Sequence, residues 1–120
     1  MQVICLIMGF FWKQERGEPF PFTGSLRLKD DGSFEGETKD AFGEATIKGA
    51  IVKEFLNPLC FTKEYLPRST GGATKPIRYV LESVKHPARG GWRGYCAVKQ
   101  PNEPGEPETI WQAACIIFPC

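Results

Sequence analysis

Residues 19–50 read PFPFTGSLRLKDDGSFEGETKDAFGEATIKGA, and the fold class follows from them. Between Phe22 and Lys29, Leu26 and Leu28 alternate with Arg27 and Lys29, the period of a strand with one face in a core. Asp31-Gly32 then supplies the dipeptide that a tight hairpin turn prefers. Beyond it Phe34, Gly36 and Thr38 alternate with Glu35, Glu37 and Lys39, and Ala45, Ile47 and Gly49 alternate with Glu44, Thr46 and Lys48. The stretch therefore predicts three consecutive half-buried strands.

Similar runs lie on either side: Val3 to about Lys13 before it, then Leu59–Tyr65, Ile77–Val84, Gly91–Lys99 and Thr109–Phe118. Each is bounded by Pro, Gly or Asn clusters, and no window sustains a helical period. Eight short strands with short connections predict an all-β, eight-stranded antiparallel up-and-down β-barrel, because closing the meander removes both exposed edges. With 120 residues, 42% hydrophobic and 24% charged, the chain makes a single domain over 1–120.

A formal charge of +1 gives no field to steer a polyanion, so nucleic acid is not an expected partner. The apolar run Val3–Trp12 has no basic residue before it and no small-residue cleavage site after it, and it is too short to span a bilayer. The expectation is a cytoplasmic strand and no membrane partner. The five cysteines form no CxxC pair, their number is odd, and His86 is the lone histidine. This pattern predicts reduced, buried thiols, no structural metal and no cofactor.

Charged residues mark the solvent side of each strand, so their neighbours point inward. The expected interior holds Phe22, Leu26, Leu28, Phe34, Thr38, Ala45, Ile47, Tyr79, Leu81, Trp92, Cys96 and Val98. The fifth strand is ambiguous, since Phe61 and Tyr65 share a face with Lys63. If the aromatics point in, Lys63 does too, and Asp40 has the parity to be its counter-charge. A meander gathers alternate connections at one end, here Glu15–Pro19, Asp40–Gly43, Leu66–Pro76 and Gln100–Pro107. Those include the two longest loops, so the mouth of the barrel is expected there, with Trp12, Asp40, Tyr65, Tyr79 and Trp111 near the rim.

Asp31-Gly32, Gly36, Asp40, Gly43, Gly49, Phe61-x-Lys63-x-Tyr65, Tyr79 and Gly91-Trp92 together resemble the strand pattern of the calycins, the lipocalin-like and avidin-like barrels. The resemblance runs from Phe22 to Lys99. It implies a cup that binds a small apolar or amphipathic molecule.

Three functional readings follow. In the first, a small apolar or aromatic ligand stacks on Tyr65, Tyr79, Trp12 or Trp111 and is oriented by Asp40 and Lys63, the alternative for these residues being a filled core with a structural ion pair. In the second, the chain is a homo-oligomeric interaction protein without a ligand: the first strand (Val3–Met8) and the last (Ala113–Phe118), apolar on both faces and adjacent in a closed barrel, form an outer patch, with Leu6 and Ile117 among its residues, that makes a homodimer unless a loop folds over it. In the third, Asp40 with Lys63 or Tyr65 performs acid–base chemistry in a dry cup. No nucleophile elbow or phosphate loop supports catalysis, and His86 is expected in a turn at the closed end. Lys85, Arg89 and Arg93 form a basic cluster whose simplest reading is a solvated face.

Overall fold

The computed structural model describes residues 2–13, 17–51, 59–66, 76–84, 91–98 and 110–119. These form eight strands, β1 (Val3–Lys13), β2 (Phe20–Leu28), β3 (Ser33–Asp40), β4 (Gly43–Ile51), β5 (Leu59–Tyr65), β6 (Ile77–Val84), β7 (Gly91–Val98) and β8 (Ile110–Pro119). Each pairs antiparallel with the next, and β1 pairs with β8, so the sheet is a closed up-and-down barrel with no free edge. Val98, as an interior side chain, and Lys85, His86, Arg89, Cys120 and the bulk of the long 67–75 and 99–109 connections lie outside the described residues.

The strand alternation sets the register. Glu35 and Glu37 face solvent while Phe34, Gly36 and Thr38 face in, and Leu28 stands opposite Phe34 across β2 and β3. The hairpin between those strands is longer than a two-residue turn. Gly32 closes it rather than sitting at its centre, donating its N–H to Lys29 O with φ at 90°. Asp31 Oδ1 accepts from the Ser33 amide and hydroxyl, which fixes the exit of the chain. The connection from β3 to β4 is tighter, with Ala41 and Phe42 between the paired Asp40 and Gly43.

The core fills the lower part of the barrel with Ile7, Phe34, Leu26, Ile47, Leu59 and Leu81, and Phe61 stacks on Tyr79 at 4.5 Å between centroids and 10° between planes. Of the expected interior, Leu28 and Trp92 are half-buried near strand ends and pack against this core. Two expectations fail on parity. Trp12 lies on the outward register of β1, beside exposed Phe10, and Phe11 takes the inward place. Ile117 lies on the inward register of β8, opposite fully buried Ile7, so the outward residues of that strand are Ala114, Ile116 and Phe118. Neither β1 between Val3 and Trp12 nor β8 contains a charge to set the phase.

Candidate functional site

The β5 ambiguity resolves with Leu59, Phe61 and Lys63 inside. Lys63 is 1% exposed, and an ammonium taken that far out of water must be matched by charge and hydrogen bonds. Asp40, at the inward end of β3, supplies both: Lys63 Nζ lies 2.6 Å from Asp40 Oδ2. The Tyr65 hydroxyl donates to the same oxygen at 2.7 Å, and the Phe42 amide donates to Oδ1 at 2.8 Å. That last bond is an Asx turn, so the short β3–β4 hairpin both orients the carboxylate and delivers Phe42 to the mouth.

Aromatic rings surround the ammonium. Its Nζ lies 4.6 Å from the Phe11 centroid, 4.9 Å from Tyr65, 5.3 Å from Phe22 and 5.6 Å from Tyr79, each within range of a cation–π contact. The Tyr79 hydroxyl accepts a long hydrogen bond from it at 3.4 Å. An ion pair thus sits inside a ring of aromatic faces, with all three Asp40 contacts made by donors of this chain.

Above the pair the rings enclose a cavity of about 250 Å³, walled by Phe11, Phe42, Tyr65, Tyr79, Trp111 and Cys96 among others. Phe42, about half exposed, contacts Phe11, Phe20 and Tyr65, at centroid distances of 6.1, 5.1 and 6.5 Å. Trp111 packs on Phe11 and Phe20 from the β8 side, and Lys13 Nζ stands 5.3 Å over its ring. The structure therefore brings Asp40, Lys63, Tyr65, Tyr79 and Trp111 together and leaves Trp12 out. Tyr79, 1% exposed, forms the deep wall rather than the rim. Phe11, Phe22 and Phe42 are the site residues that the sequence reading missed. The Asp40-x-Phe42 spacing of an Asx turn is the signal for the last of them.

Burial dominates the titration of the site. It raises Tyr79 well above an ordinary phenol, raises Tyr65 (with the hydrogen bond to Asp40 adding to the effect), and pushes the Cys96 thiol up to about 11 and Cys115 up to about 12. It lowers Lys63 against the opposing pull of Asp40. Acids with raised values keep protons in the fold that the unfolded chain releases, so their stabilising contribution is intact below about pH 9 and is lost as pH climbs through 11 and 12. Lys63 has the opposite sign, its contribution improving as pH rises toward its ordinary 10.5. With four groups against one, the free energy of unfolding in urea should fall steadily above pH 9. Replacing Cys96 and Cys115 by Ala should flatten the first part of that fall. A stability that holds level or rises to pH 11 would contradict this account.

Among the described residues no group of three His, Cys, Asp or Glu side chains can hold a metal ion, and no helix is long and apolar enough to cross a membrane. Comparison with protein-family models, with curated proteins and with solved structures found no match to this chain.

Proposed function

We propose that the protein is a small-molecule binding barrel of the calycin type, taking one small apolar or aromatic molecule into the mouth of the cup. The observation that carries this reading is the aromatic cavity itself: beside the buried core, the mouth end leaves about 250 Å³ between five ring-bearing side chains. A dry cavity of about 150 Å³ accepts benzene, so this one suits a molecule of one or two rings. Lys63 and Asp40 stand behind its wall, against Phe11, Tyr65 and Tyr79. Their polar atoms are bonded to each other, to Tyr65 and to the Phe42 amide, which favours a binding role over acid–base catalysis. The thiols of Cys60, Cys96 and Cys115 support a reducing compartment, which we take to be the cytoplasm.

The charges also select the ligand. Ammonium groups face the Phe11 and Tyr65 rings from inside and the Trp111 ring at the rim, so a cationic aromatic meets like charge at both places. Indole and benzyl alcohol, titrated by thermal shift and by the indole-ring signals of Trp111 in NMR, should bind. Benzylammonium should bind about tenfold more weakly. Phe42→Ala, a change at a half-exposed turn residue, should weaken the neutral probes by about tenfold without unfolding the barrel. Absence of any shift with the neutral probes up to millimolar concentration, or binding indifferent to Phe42→Ala and Trp111→Leu, would overturn the reading.

A further inference from the structure

The outer surface of the barrel carries a feature that the binding cup does not use. Along β1 the outward residues are Ile4, Leu6, Met8 and Phe10, with Met8 46% and Phe10 48% exposed. Their neighbours on β8 are Phe118 opposite Leu6, Ile116 opposite Met8 and Ala114 opposite Phe10, with Ile116 43% exposed. On the β2 side the outward partners of Leu6, Met8 and Phe10 are Ser25, Thr23 and Pro21. The outward faces of β3, β4 and β6 carry charges instead: Glu35, Glu37, Lys39, Glu44, Lys48, Arg78 and Glu82.

The ridge lies beside a hollow. A groove of about 570 Å³ runs over β2, β3 and β4, with Leu6 at its edge, Gly24, Ala45 and Leu66 in its wall, the hydroxyls of Thr23 and Thr46 beside them, and Glu37, Lys39 and Glu44 along its flank. A ridge and an adjacent groove are self-complementary under a two-fold axis, because each copy can lay its ridge in the other's groove. We propose that a second copy of this chain docks here, through an isologous contact in which Met8, Phe10 and Ile116 of one protomer enter the groove of its partner and the two Leu6 side chains meet near the axis.

Size and charge both favour this occupant. Four strands about 4.8 Å apart over about 24 Å of length project roughly 450 Å². Side-chain relief and the groove walls raise the buried area toward the roughly 800 Å² per partner of a standard stable interface. The ridge has no charge to repel its own image. Arg27, which stands opposite Ile4 on β2, is neutralised by a two-pronged bond to Glu37, so the charge nearest the ridge is already paired.

Sedimentation velocity tests the proposal. The wild-type chain should be a dimer at tens of micromolar, and Arg78→Glu, at an exposed position of β6 on the opposite side of the barrel, should leave it so. Leu6→Lys and Leu6→Glu should each raise the dimer dissociation constant at least about thirtyfold, the effect of losing a hot spot, because each places like charges across the axis. Far-UV circular dichroism and the melting temperature will show that each variant still folds. Mixed one to one, the two variants should recover a heterodimer, since the axis then brings Lys against Glu. A wild-type monomer at 100 micromolar would overturn the proposal. So would a dimer insensitive to both Leu6 charges, a mixture that fails to recover, or a wild type that stays monomeric and cosediments with phosphatidylcholine–phosphatidylserine vesicles.

Discussion

Asp40→Ala should cost about 3–5 kcal/mol in urea unfolding, because it leaves the Lys63 ammonium buried among ring faces with no counter-charge. A domain of this size holds only about 5–15 kcal/mol in total, so the variant should melt early or fail to accumulate. Lys63→Met should cost less, about 1–3 kcal/mol. The remaining carboxylate still accepts from the Tyr65 hydroxyl and the Phe42 amide, and the Met stem refills the space of the lysine. Combining Asp40→Asn with Lys63→Met removes both charges from the interior and should be more stable than Asp40→Ala alone. A cycle built from Asp40→Asn, Lys63→Met and their combination should therefore be strongly non-additive. If Asp40→Ala costs no more than Glu64→Ala at the exposed surface, the pair holds nothing together.

A second large loss is expected from the smallest of changes, Gly49→Ala. Gly49 faces Phe61 across β4 and β5, and a Cβ there would be 2.5 Å from both the Cα and the Cβ of Phe61 and would also collide with the Cys60 carbonyl. The obstacles are mainly backbone in a paired strand, which cannot swing aside as a side-chain tip can. Forced overpacking of this kind costs about 1–3 kcal/mol, and a main-chain obstacle places Gly49 at the upper end. Gly91→Ala is the control. A Cβ at Gly91 meets nothing closer than 3.5 Å, so that variant should stay within about 0.5 kcal/mol of the parent. Similar melting temperatures for the two variants would show that the close approach at Gly49 is not needed for the curvature of the barrel.

Charge placement explains which parts of this architecture could be read from the sequence. On β2, β3, β4 and β6 the charged residues, Asp40 apart, fall on one face of the pleat, and the phase that they set puts Leu26, Phe34, Ile47 and Tyr79 inside, where they are buried. The same parity logic paired Lys63 with Asp40 across 23 residues of chain. On β1 from Val3 to Trp12 and on β8 the pleat has no charge to phase it, and a two-residue period shifted by one exchanges every side chain between faces. Trp12 and Ile117 sit on the face opposite to the expected one for that reason, with Phe11 and Ile116 as the residues that take those places. Phe42 was hidden differently. Its position at the mouth depends on a bond from its own amide to a side chain two residues back, and no hydrophobic pattern records that.

The pairing of β1 with β8 has a consequence for how the protein is made. Gly9 finds its partner in Cys115, roughly a hundred residues later. At about 5–20 residues per second, the ribosome takes on the order of 5–20 seconds to deliver it. For that interval the nascent β1 has one edge covered by β2 and the other bare, while Ile4, Leu6, Met8 and Phe10 stay uncovered on one face. The strand whose apolar faces serve the finished barrel best is therefore the one that a holding chaperone, or an early-emerging copy on a neighbouring ribosome, would meet first.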